Sequence, residues 1–184
     1  METMRPPKKA PKPLNSVRLN DLALHYVARF ATSAAKLEDY LRRKLRERGW
    51  EGEGDPPLRA LVERFVAAGY VDDLAYARAK SGSLLRRGYG QRRVGQALHA
   101  AGIGEGVREE VRAGKADQRR AALALAQKRR FGPFGAELPD RPTREKQLAA
   151  MLRAGHPLDM ARVLVSAANR EEAEDWAAGE EDGE

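Results

Sequence analysis

Three stretches decide how this chain folds: Tyr40-Leu-Arg-Arg-Lys-Leu45-Arg-Glu-Arg-Gly49, Arg93-Val-Gly-Gln-Ala-Leu98-His-Ala-Ala-Gly102 and Lys146-Gln-Leu-Ala-Ala-Met151-Leu-Arg-Ala-Gly155. Each is an amphipathic helical run closed by a glycine, and the glycines stand 53 residues apart, twice over. A fixed period of this length is the mark of one structural unit repeated along a chain. The large apolar residue four before each glycine faces inward, and glycine supplies the left-handed conformation that ends a helix.

Working outward, the first unit reads as three helices. Leu22, Tyr26, Val27 and Phe30 form one face of a helix near 20–31, capped by Asn20 or Asp21. Ser33 caps a second helix to Arg48 with the stripe Leu37, Leu41, Leu45, and Asp55-Pro56 starts a third carrying Leu58, Leu61, Val62, Phe65 and Val66. The second unit opens at Asp72 or Asp73. Its stripes are Leu74, Ala77, Ser81, Leu84 and Leu85, then Val94 and Leu98, then Val107 and Val111. In the third, a helix from Asp117 to Lys128-Arg-Arg130 precedes an insertion at 131–142, a helix capped by Thr143, and a last one bearing Leu158, Ala161, Leu164 and Val165. No alternating apolar run reads as a strand.

The expected fold is all-α: an elongated, curved array of three tandem three-helix repeats. A basic Pro/Lys-rich disordered tail occupies 1–19 and the repeats 20–71, 72–115 and 116–170, with an acidic, mobile tail at 171–184. Units of about 53 residues bury little core alone, so each is expected to lean on its neighbour.

The 184 residues include no cysteine and three scattered histidines, which excludes a disulfide frame and thiolate metal sites and leaves no paired histidine ligands. No apolar stretch is long enough to span a bilayer and no secretion signal is present, so a cytoplasmic protein is expected, with no membrane association and no cofactor. The net charge of +7 is unevenly spread. Removing the +4 of residues 1–20 and the −8 of residues 171–184 leaves +11 on the body, the electrostatic footprint of a protein that meets a polyanion.

No convergent acid, base or nucleophile appears, so an enzyme is not expected. Asp72 and Asp73 read as helix caps, and Gly102-Ile-Gly-Glu-Gly106 follows a helix and lacks a Lys-Ser/Thr ending, so it reads as a turn rather than a phosphate loop. The basic clusters are the candidates. Arg42, Arg43 and Arg46 lie opposite the stripe of their helix. Arg92 faces outward in the second unit with Arg93 at its flank, and Arg86, Arg87, Lys128, Arg129 and Arg130 stand where the first helices of units two and three end. The competing assignment is solvated helix faces, with Asp39 and Glu47 neutralising part of the first cluster. Tyr89, Phe131 and Phe134 could stack on bases, while Trp50 and Tyr70 read as hydrophobic contacts of helix caps.

The central stretch, Ala68-Gly-Tyr-Val-Asp-Asp-Leu-Ala-Tyr-Ala followed by Arg87-Gly-Tyr-Gly-Gln-Arg-Arg-Val-Gly-Gln-Ala-Leu-His-Ala-Ala-Gly-Ile, resembles the bacterial RecX family over residues 21–113. The matching positions are Gly69, Tyr70, Val71, Asp73, Tyr76, Ala77, Gly90, Arg93, Val94, Leu98, Gly102 and Ile103, and the insertion at 131–142 departs from the pattern. The resemblance implies a modulator, usually an inhibitor, of the RecA recombinase. Such a protein binds RecA filaments on DNA, slows ATP hydrolysis and strand exchange, and binds single- and double-stranded DNA without sequence preference. A monomer is expected, with Asp73 holding a repeat together and Arg92 and Arg93 contacting the partner. The alternative is a helix-turn-helix transcriptional regulator, for which Gln91 to Arg93 would begin the recognition helix.

Overall fold

The computed structural model describes residues 12–179, and within them every regular element is helical except one isolated backbone bridge between Leu14 and Trp50. The chain divides into two compact units between Asp72 and Asp73.

The first unit holds α1 (Ser16–Arg29), α2 (Ala34–Arg48) and α3 (Leu58–Ala67). Helix α1 begins four residues before the expected Asn20, and its cap is Asn15, whose side chain accepts from the Arg18 amide at 3.0 Å. What orders this upstream segment is Leu14, fully buried, whose amide donates to the Gly49 carbonyl and whose carbonyl accepts from the Glu51 amide. Arg18 pairs with Glu51 across the same seam. Most of the expected 1–19 tail, residues 1–11, lies outside the described residues. Ser33 caps α2 as expected, accepting from the Lys36 amide. Helix α3 starts three residues after Asp55, with Pro57 at its cap position and no side chain bonding its first amides. Leu61, Val62 and Phe65 are buried with Leu19, Ala23, Leu37 and Leu41, each large side chain contributing roughly 1.5–3 kcal/mol and Ala23 less. Phe30 and Val66 fall outside this core, 55% and 46% exposed, because each lies at the end of its helix where the apolar face runs out.

The second unit contains α4 (Asp73–Arg86), α5 (Gln91–His99), α6 (Glu105–Glu110), α7 (Lys115–Arg129), a 3-10 turn (Gly132–Phe134), α8 (Arg141–Arg153), α9 (Leu158–Ser166) and α10 (Arg170–Ala178). It holds two cores, one formed by α4, α5 and α6 and the other by α7, α8, α9 and α10 with the 3-10 turn. One gathers Ala77, Leu84, Val94, Leu98, Ala101 and Ile103, and the other is built on Ala122, Leu125, Ala126, Phe134, Met151, Ala161, Leu164 and Val165. Helix α8 is capped by Asp140, not Thr143: the carboxylate accepts from the Thr143 amide at 2.9 Å, with Pro142 in the first turn where no amide is needed.

The acidic end departs most from expectation. Residues 171–178 are not a mobile tail but belong to α10, packed on α7 with Ala173 and Ala177 buried and Trp176 against the core. Asn169 accepts from the Glu172 amide at 2.9 Å, and Glu172 in turn accepts from the Ala168 amide at 2.7 Å, a reciprocal capping pair. Arg119 fixes the far end, lying over the Trp176 ring and donating to the Gly179 carbonyl. Residues 180–184 of that segment lie outside the described residues.

The repeated glycines at 49, 102 and 155 all take positive φ, at 78°, 71° and 99°. At Gly102 and Gly155 the chain closes a Schellman motif: Ile103 donates to Leu98 and His156 to Met151, while the glycine amides donate three residues back. Gly49 instead donates to Leu45 and turns the chain so that Trp50 lies beside Leu14.

Candidate cationic groove

Within the second unit, α8 ends where α5 begins. The Gly90 amide donates to the Ala154 carbonyl at 2.9 Å and the Arg92 amide to the Gly155 carbonyl at 3.3 Å. Amides at the start of one helix thus satisfy carbonyls at the end of another, and their dipoles meet with opposite sign. The approach is backbone on backbone: a Cβ on Gly90 would stand 2.4 Å from the Gly155 carbonyl group, and one on Gly155 would stand 2.5 Å from the Arg93 amide nitrogen. Beneath it, His156 is 3% exposed and its Nε2 lies 2.9 Å from the Gly88 carbonyl oxygen. A carbonyl only accepts, so Nε2 carries the proton. Burial holds the imidazole below its ordinary pKa and keeps it neutral, while the bond to Gly88 opposes that shift.

Beside this junction lies a groove of about 660 Å³ lined by Arg87, Tyr89, Arg93, Leu125, Lys128, Arg129, Phe131, Ala150, Arg153 and Ala154. Five cations stand around it with no carboxylate among the lining residues, and none of the five forms an ion pair among the described residues. The Arg87 guanidinium lies 5.4 Å from the centre of the Tyr89 ring. Like charges held together without counter-charges raise the local potential and attract anions.

The structure therefore brings together four of the ten sequence-derived candidates, Arg87, Arg93, Lys128 and Arg129, and adds Arg153. Arg92 turns the other way and donates to the Leu152 carbonyl, while Arg86 and Arg130 are exposed outside the groove lining. In the first unit, Arg42 is held by Glu38 and Asp39, and Arg43 lies 3.7 Å from Glu47, so much of that cluster is neutralised on its own helix. Arg46 is exposed and forms no ion pair among the described residues. Of the aromatic candidates, Tyr89 and Phe131 line the groove half-buried, whereas Phe134 is 8% exposed and belongs to the core.

The start of α5 is poorly suited to reading bases. Gln91 Oε1 accepts from the Ala113 amide, Arg92 is committed to α8, and the helix N-terminus abuts another helix end.

Fold and groove together define an all-helical protein with a concentrated cationic face. No family model matches the chain. The chain is 31% identical over 166 residues to the regulatory protein RecX of Myxococcus xanthus, covering 85% of this chain and 89% of that protein. It is 32% identical over 159 residues to the regulatory protein RecX of Agrobacterium fabrum, covering 83% and 84%. The crystal structure of RecX from Lactobacillus salivarius superposes with a TM-score of 0.64 at 17% identity, over 81% of this chain and 93% of that one. The chain belongs to the RecX family of regulatory proteins.

Proposed function

We propose that the protein is a non-enzymatic negative regulator of the RecA recombinase. It binds RecA–DNA filaments through the groove around Arg93 and Arg153 and slows ATP hydrolysis and strand exchange. The observation that carries this reading is five cations converging on one groove, without an ion-pair partner among the described residues and beside two aromatic rings, in a member of the RecX family. Phosphate esters and carboxylates suit such a surface, and DNA binding through its phosphate contacts is independent of sequence. The reading places the protein in the cytoplasm as a monomer; no helix among the described residues is long and apolar enough to cross a membrane. Arg86, Arg92 and Arg130 of the second unit, and separately the arginines of α2 in the first, contribute in a secondary role.

The test is inhibition of RecA's DNA-dependent ATPase by two variants. R87Q/R93Q/K128Q/R153Q loses inhibition at unchanged helicity, while R42Q/R43Q retains most of it. Undiminished inhibition by the first variant overturns the groove assignment, and preference for one duplex sequence over all others would favour transcriptional regulation instead.

A further inference from the structure

On α5, Arg92 and Arg93 point to different places, and the side that Arg92 faces is a second concavity of about 590 Å³. Its wall includes Arg108, Arg112, Gln118 and His156. Among the described residues, two buried side-chain polar atoms have no hydrogen-bond partner: Nε of Arg108 and Nδ1 of His156. Both belong to residues lining this one cavity, although they lie 48 positions apart in the chain. Buried polar groups are nearly always satisfied, so two orphans around one hollow mark a place where something else supplies the partners.

The two orphans have opposite needs. Arg108 Nε–H is a donor and requires an acceptor. Because Nε2 of His156 donates to Gly88, Nδ1 of the neutral ring is a bare lone pair and requires a donor. A carboxylate, or a phosphodiester, offers only acceptors. A phosphate monoester near neutral pH offers both, since its second ionisation lies near pH 6 and its singly protonated form carries an O–H beside charged oxygens. The surrounding charge agrees: Arg92, Arg108 and Arg112 outnumber the one carboxylate, Glu109, which lies 3.3 Å from Arg112.

Two glutamines on the same wall are locked by the backbone of a single residue, Ala113. Gln91 Oε1 accepts from the Ala113 amide at 3.2 Å, and Gln118 Nε2 donates to the Ala113 carbonyl at 2.7 Å. Gln91 is left with spare amide donors and Gln118 with a spare acceptor, the complement of a heterocycle edge that carries one of each. The volume is that of a small-ligand site.

We propose that this cavity binds a small phosphate monoester of the nucleotide type, with Arg108 and His156 holding the phosphate. It is separate from the groove, so its occupancy does not depend on the recombinase reading.

The experiment is a titration of the full chain with a nucleoside 5′-monophosphate and with inorganic phosphate, following the His156 ring resonances by NMR and affinity by calorimetry. Both probes should move those resonances saturably. The matching 3′,5′-cyclic diester, which has no ionisable O–H, should bind at least tenfold more weakly. R108M should lose at least tenfold in affinity for the monophosphate with its melting temperature kept, and R93Q should lose little. Comparing a 5′-phosphorylated dinucleotide with its unphosphorylated form tells a free nucleotide from a strand end; tighter binding of the phosphorylated form supports the site. Stationary His156 resonances, equal binding of the cyclic diester, or equal losses in R93Q and R108M would overturn the proposal.

Discussion

His156 Nε2 donates across 2.9 Å to the carbonyl of Gly88, tying the end of α8 to the end of α4 through a ring almost wholly withdrawn from solvent. Burial depresses the ring's pKa in the folded state, and the bond to Gly88, which either protonation state can donate, only partly opposes that shift. Below about pH 6.5 the unfolded chain takes up a proton that the folded chain resists. The contribution of His156 is therefore complete above that pH and declines as pH falls toward the lower folded value. Urea unfolding of the wild type and H156Q between pH 7.5 and 5 checks this: the variant is less stable at pH 7.5, and the gap narrows on acidification.

The junction between α5 and α8 leaves no room at Gly90. In G90A a methyl group would meet the Gly155 carbonyl, forcing apart two helix ends joined by main-chain bonds. The expected loss is about 1–3 kcal/mol or more. Thermal unfolding measures it, and an unchanged melting temperature would show that the helix ends do not meet in solution.

Binding to DNA should weaken with salt in proportion to the phosphates neutralised. R93Q/R153Q should reduce the slope of log K against log salt by about 2 on duplex DNA, near 0.9 for each phosphate that no longer faces a guanidinium. Fluorescence anisotropy at several salt concentrations reads this out, and an unchanged slope would place the phosphate-binding residues elsewhere.

Arg130 ends α7 at φ 56°, the single non-glycine positive φ among the described residues. A side chain there costs about 1–2 kcal/mol relative to a right-handed conformation. R130G is expected to raise stability by up to about 1 kcal/mol. Because Arg130 does not line the groove, its effect on ATPase inhibition should be smaller than that of R93Q.

Helix α10 depends on its cap. N169A removes the acceptor for the Glu172 amide and should cost about 1 kcal/mol. Hydrogen exchange at Ala173 and Ala177 should accelerate, whereas a solvated tail would show no protection in either protein.

Several of these features can be read in the residues and others cannot. Glycine caps at 102 and 155 and the stripe residues Leu37, Leu41, Val94 and Leu98 follow from local rules, because helix ends and faces are determined within a few residues. The cap of α10 is legible too: Asn169 and Glu172 have capping-box spacing, and Ala173, Trp176 and Ala177 share one face, but the density of acidic residues masks that pattern by suggesting a solvated tail. Arg153 is different. Its cationic neighbours in the groove come from Arg87 and Arg93, some 60 positions earlier, and from the end of α7, through an encounter of helix ends that periodicity within a helix does not encode. The ion pairs that occupy Arg42 depend on rotamers, so helical spacing shows only that Glu38 and Asp39 are within reach.

The meeting of Gly90 with Ala154 and Gly155 is made by main-chain atoms alone. The bonds that join these two helix ends are therefore indifferent to the charge of the side chains beside them: an arginine of the groove can be replaced without removing any of the main-chain bonds between α5 and α8. Such a replacement would retune grip and salt tolerance while leaving that seam of the backbone intact.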